Sequence, residues 1–138
     1  MEKIDIVKHA AVIIRDGKYL VTREKGDDFW KNVGGEIDGE ETVEECLRRE
    51  IKEELDVDVV GEPEYYFSTP VTDTESEPKR KLIINMYKTE IEGEPKASSE
   101  IEEIHWVSKE EFEKGEMYIT HQIRDYIIPR LIKDGLVK

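Results

Sequence analysis

A chain of 138 residues suits one compact domain with a core of its own. Its 34 Asp and Glu outnumber its 21 Lys and Arg, for a formal charge of −13. That balance argues against a duplex nucleic-acid binder, which needs a basic face, and against docking on an anionic membrane; an anionic substrate stays open, because a bound divalent cation reverses the local field.

Residues 7–14 are apolar apart from Lys8 and His9, as a buried strand should be. Asp16-Gly17 is a turn signal, and residues 19–22 follow as a second strand, so the two predict a hairpin. Gly26-Asp27-Asp28 is a loop leading to Phe29 and Trp30. Gly34-Gly35 breaks the chain again, and residues 36–41 form a polar loop. A helix begins near Thr42, where Thr42 and Glu45 make a capping box. Val43, Leu47, Ile51 and Leu55 recur at four-residue intervals and supply its buried stripe.

Residues 57–67 read as a strand interrupted by Gly61-Glu62-Pro63. Residues 69–80 are polar and hold Pro70 and Pro78, which predicts a mobile loop. Residues 82–91 are a strong strand candidate, 93–99 a loop, and 101–107 a strand ending in Trp106-Val107. Ser108 and Glu111 cap a short helix that ends by Gly115. Residues 119–133 are a last helix, kinked or delayed by Pro129 and stopped by Gly135. This order predicts an α/β fold with a mixed β-sheet between helices. No repeat or linker divides residues 1–138, so a single domain is expected.

Cys46 is the only cysteine, which excludes an internal disulfide and a cysteine-based metal site. The apolar run 10–14 is too short for a leader or a membrane span, and Met1-Glu2-Lys3 is not a basic leader start. A cytoplasmic protein is the expectation.

The informative segment runs from Gly35 to Val57. Positions three and four apart share a helix face, so Glu50, Glu53 and Glu54 point the same way beside the apolar stripe. Carboxylates that close repel, and at least one pKa should rise. A hard divalent cation with oxygen ligands removes the penalty; a solvated acidic face is the plainer alternative.

The spacing of the segment resembles the Nudix box, G-x5-E-x7-R-E-U-x-E-E-x-G-U, where U is a bulky aliphatic residue. Gly35, Glu41, Arg49, Glu50, Ile51, Glu53, Glu54 and Val57 fall in register. Asp56 stands where the family has glycine, and Asp can take the left-handed turn that glycine serves there. The resemblance implies a Nudix-type α/β/α sandwich and hydrolysis of a nucleoside diphosphate linked to another moiety, with Mg²⁺, or Mn²⁺ in its place, as cofactor. The substrate would be a small-molecule nucleotide, with no nucleic-acid or membrane partner; relatives are often homodimers.

Carried over residue by residue, Glu50, Glu53 and Glu54 look like metal ligands, joined by the Gly35 carbonyl. Glu41 looks like an outer member, acting through water or holding the loop. Arg49 looks like an orienting residue, with Glu45 or Glu53 as plainer surface partners. The general base would be Glu50 or Glu53, or an acid of a distant loop, for which Glu100 and Glu103 stand as candidates; solvated surface is the commoner fate of both. His105 reads as a structural histidine. Arg23, Trp30 and Arg80 are the candidates for substrate binding, with Lys25, Phe29, Lys79 and Lys81 behind them. Cys46 reads as a small packing residue.

Substrate markers are indecisive: Pro70 falls near but not at the spacing typical of ADP-ribose hydrolases, and a nucleoside triphosphate is as compatible as a nucleotide sugar. Two other classes compete. An isopentenyl diphosphate isomerase would need a different metal site and a reactive cysteine in a pocket. A non-catalytic nucleotide sensor would be expected to have lost box carboxylates, and this chain keeps them.

Overall fold

The computed structural model describes residues 3–138; Met1 and Glu2, part of the leader argument above, lie outside the described residues. The chain runs β1 (Ile6–Val12), β2 (Ile14–Arg15), β3 (Lys18–Glu24), β4 (Val33–Gly35), α1 (Val43–Leu55), β5 (Asp58–Ser68), β6 (Thr72–Asp73), β7 (Lys81–Glu92), β8 (Ile101–Val107) and α2 (Lys109–Lys114). A π-helical turn (Ile123–Ile127) then leads into α3 (Ile128–Lys133).

The larger sheet has the order β4-β1-β7-β5, with β6 beside the start of β7. Among the named strands of the described residues β1 and β7 are the parallel pair; the crossover between them carries α1, as a parallel pair requires. The smaller sheet, β2-β3-β8, is antiparallel. Strand alternation divides the core in two. On one face Ile6, Ala10 and Val12 pack with Met86 and with Ile123, Ile127 and Leu131 of the final helical segment. On the other, Ala11 and Ile13 pack with Leu47, Ile51 and Leu55, the stripe expected on α1. Each such buried Leu or Ile contributes about 1.5–3 kcal/mol of burial. The result is the α/β/α sandwich with a mixed sheet.

Four local outcomes differ from the sequence reading. The first strand is longer in purpose than expected: after Ile13 it leaves the larger sheet and joins the smaller one, so the Asp16-Gly17 hairpin links β2 to β3. Both turn residues have positive φ, 53° and 73°, the geometry of a tight two-residue hairpin. The Gly61 interruption is a bulge inside one continuous strand, with the register shifting between Val60 and Glu64. Residues 69–80, expected to be mobile, contain β6 and are pinned through Glu75, described below. The last helix, expected to be kinked or delayed by Pro129, runs on through it. A π-turn absorbs the missing N–H, and Ile128 N–H reaches back to Ile123 O.

Candidate active site

α1 starts as the sequence predicts. Thr42 accepts from Glu45 N–H at 3.1 Å, and Glu45 accepts from Thr42 N–H at 2.9 Å. At its other end Asp56 takes the left-handed conformation (φ 54°, ψ 41°), the turn for which the resemblance expects glycine.

The box residues converge on Arg49. Its Nε and Nη2 donate to the two oxygens of Glu41 at 2.6 and 3.0 Å, a bidentate pair. Its Nη1 donates to Glu50 at 2.6 Å and to Glu53 at 3.4 Å, and Nη2 also donates to Glu36 O at 3.1 Å. Glu45 is not a partner, because its carboxylate serves the helix cap. Glu41 in turn accepts from Asp38 N–H at 2.8 Å, so it staples the loop before α1 to Arg49. The hydrogen bond from Arg49 is the main reason the Glu41 carboxyl lies below the usual glutamate range.

Glu54 is different. It is only 2% exposed and accepts from Gly34 N–H at 3.1 Å. Burial, and after it the charge of Glu50, push its pKa up to about 9. The neighbouring backbone is shaped for this pair. A Cβ at Gly35 would lie 2.7–2.9 Å from the Glu50 carboxylate, and one at Gly34 (φ +140°) would strike His9 O at 2.2 Å. Only glycine lets β4 pass this close to β1 and to the glutamates.

These residues fit a divalent cation. Two carboxylates lie together, one of them buried, beside backbone that leaves room for nothing larger than hydrogen. A cation there would allow both to ionise. Among the described residues no three His, Cys, Asp or Glu side chains already stand as a ready-made metal set. The reason is Arg49, which draws Glu50 and Glu53 onto its guanidinium; Glu53 is also half-exposed.

A cleft of about 360 Å³ opens beside Gly34, Gly35 and Glu36, on the face of the sheet opposite α1. Its floor is Ile6, Lys8 and Ala10 of β1 with Leu82 and Ile84 of β7. Arg80 lines it, as the sequence reading expected. One wall is the strap of residues 74–80. Glu75 ties it across the cleft, accepting from His121 N–H at 3.1 Å and Tyr118 Oη–H at 3.0 Å, and lying 2.9 Å from His121 Nδ1. Gln122 Nε2 adds bonds to Thr72 Oγ1 and Asp73 O at 2.9 and 2.8 Å.

Arg23 and Trp30, expected at the substrate, do not line this cleft. Arg23 faces Glu103 across the β3–β8 pair, bonds it at 2.5 Å, and lies 5.6 Å over the Trp30 ring. Trp30 packs in turn against His105, which lies 2.7 Å from Glu111. Lys25 donates its backbone N–H to Glu100 O. Glu103 is thus engaged by Arg23, and the charges that act on Glu100 are those of Lys31 and Lys25. Lys79 bonds Glu75 O, Lys81 pairs with Asp73, and Phe29 lines the cleft. Cys46 is buried, with its thiol 3.4 Å from Glu36 O. The sequence reading missed Lys8, Asn32 and Thr120 at the cleft. Lys8, as a lone cation in an apolar strand, was the one available signal.

Comparison with known proteins bears on the fold and the family. The chain is 36% identical over 67 residues to a CTP pyrophosphohydrolase of Escherichia coli, covering 45% of this chain and 48% of that protein. It is 40% identical over 43 residues to a dihydroneopterin triphosphate diphosphatase of the same organism, covering 31% of this chain and 29% of that one. The matched stretches thus span about half or less of these curated relatives. The fold superposes on a MutT protein from Methanosarcina mazei with a TM-score of 0.76 at 24% identity, covering 98% of both chains. A model of the NUDIX domain matches residues 6–131, nearly the whole sandwich and its carboxylate helix, and the chain therefore belongs to the NUDIX domain family.

Proposed function

We propose that the protein is a divalent-cation-dependent pyrophosphohydrolase that cleaves a diphosphate bond in a nucleotide, with Mg²⁺ as working ion and Mn²⁺ as a substitute. The observation that carries this is the buried Glu54 beside Glu50 and Gly35, at the end of an open cleft. Glu50, Glu53, Glu54 and the Gly35 carbonyl would hold the ion, with Glu41 outside them. When bound, the ion would neutralise phosphate charge and favour the attacking water's deprotonation.

The chain's own groups supply the rest. Arg49 orients Glu50 and Glu53 from one guanidinium, and Glu41 fixes Arg49 from behind. Glu50 or Glu53 accepts the proton of the water. This reading is favoured over Glu103, which is bonded to Arg23. The cleft takes the rest of the substrate, with Arg80 at its strap side. The two relatives are named for triphosphates, CTP and dihydroneopterin triphosphate, which favours a triphosphate over a nucleotide sugar. We read residues 1–138 as a single domain of a cytoplasmic enzyme. Among the described residues no helix is long and apolar enough to cross a membrane.

The test is release of pyrophosphate or phosphate from nucleoside triphosphates, ADP-ribose, sugar nucleotides and dinucleoside polyphosphates with Mg²⁺ or Mn²⁺. Turnover of one class is expected, lost on chelation and reduced at least about 100-fold in Glu53→Gln and in Glu54→Gln. Tight nucleotide binding with no turnover under any metal would establish the sensor instead.

A further inference from the structure

Lys31 is a cation set beside carboxylates that suit a divalent ion. Its N–H and C=O pair with Thr22 of β3 at 2.7 and 2.9 Å, and Gly34, three residues on, holds Glu54. The charge of Lys31 reaches Glu54. Burial, and after it Glu50, raise the Glu54 pKa, while the Gly34 N–H and Lys31 oppose the rise. Lys31 also reaches Lys8, whose pKa is held low by burial first and by Lys31 second.

Glu24, the last residue of β3, is what holds the ammonium. Lys31 Nζ lies 2.5 Å from Glu24 Oε1, with the two side chains 23% and 32% exposed. A pair that far out of water is screened less by salt than a surface pair. Glu50 and Glu53 are drawn to Arg49, so Glu54 is the box carboxylate without an ion-pair partner among the described residues. A lysine released from Glu24 would have Glu54 as the carboxylate still open to it.

We propose that Glu24 and Lys31 form a charge pair that tunes cation uptake at the glutamates: Glu24 restrains the Lys31 ammonium, so that Glu54 is left to a divalent ion, and neither residue ligates that ion. This rests on the reading of the glutamate end as the metal site. While the pair is intact its charges cancel, and an incoming ion meets a neutral neighbour. Without the charge of Glu24, a free ammonium repels the ion and competes for Glu54. Without the charge of Lys31, Glu24 is a further anion that attracts it. Both are positioning residues, acting on the ion through the field around Glu54.

Titration with Mn²⁺ alone, with the free ion followed by electron paramagnetic resonance, tests this without turnover. Glu24→Gln should raise the Mn²⁺ Kd by about 3- to 30-fold, and Lys31→Met should lower it by a similar factor, the range for a unit charge acting on a divalent ion through partly screened protein. The double variant, neutral like the intact pair, should return to within about threefold of wild type, and Lys31→Arg should stay there. Residues that only brace the fold would weaken binding in both single variants. Weaker binding in both therefore overturns the inference, and so does a Kd within about twofold of wild type in both. Lys114 of α2, paired with Glu110 and not lining the cleft, is the control. If Lys114→Met tightens binding as much as Lys31→Met, the net charge of the chain sets the affinity and the inference falls. Glu24→Gln keeps the test decisive if Lys31→Met folds poorly. A wild type that binds no Mn²⁺ removes the metal reading and this one with it; a wild type that binds Mn²⁺, with a Kd that neither variant moves, removes this one alone.

Discussion

Glu54 concentrates the chemistry of the site in one side chain. Folding keeps it protonated up to about pH 9, against an ordinary value of 4.5, because it is buried and faces Glu50. The folded chain therefore holds a proton that the unfolded chain releases. Its contribution to stability is full below the ordinary carboxylate pKa and is lost as pH rises toward the folded value. Melting curves in chelator should show the midpoint falling between about pH 5 and about pH 9. Lys31 and the Gly34 N–H oppose the shift but do not cancel it. Glu54→Gln, neutral throughout, should flatten that slope. Added Mg²⁺ should raise the midpoint more at the alkaline end, where both carboxylates are ready to ionise. A midpoint that climbs with pH in chelator would show that Glu54 is ionised without a cation.

Two elements place that residue, and each has its own test. α1 is fixed at its start by the reciprocal Thr42–Glu45 bonds. Thr42→Ala should cost about 1 kcal/mol in urea unfolding, read as a shift in midpoint with unchanged slope. The second element is the strap carrying Glu75, whose carboxylate gathers the Tyr118 hydroxyl and the His121 N–H across the cleft. Glu75→Ala removes those acceptors. Amide hydrogen exchange over residues 72–80 should speed up by about tenfold or more, and KM should rise more than kcat falls, because the strap walls the cleft and does not touch the box. Unchanged exchange would mean that β6 and Gln122 hold the strap alone.

At the scale of the whole molecule, a charge of −13 on 138 residues is self-repulsive. Raising NaCl from about 0.05 to about 0.3 M should increase the melting temperature, because the Debye length drops well below the size of the domain; a decrease would mean that ion pairs such as Arg49–Glu41 outweigh the repulsion. The sequence by itself determined the elements whose signals are local: the capped carboxylate helix, the short capped helix after Ser108, the strands 82–91 and 101–107, and the family, because hydrogen-bonding caps and side-chain periodicity act over a few residues. The tertiary structure alone decided what depends on distant partners. It sent residues 14–15 to a second sheet, pinned the loop at 69–80 through Glu75, engaged Arg23 with Glu103 away from the cleft, and left Lys8, Asn32 and Thr120 facing it. Those outcomes follow from strand pairing and burial between residues far apart in the chain, and no short window of sequence carries that information.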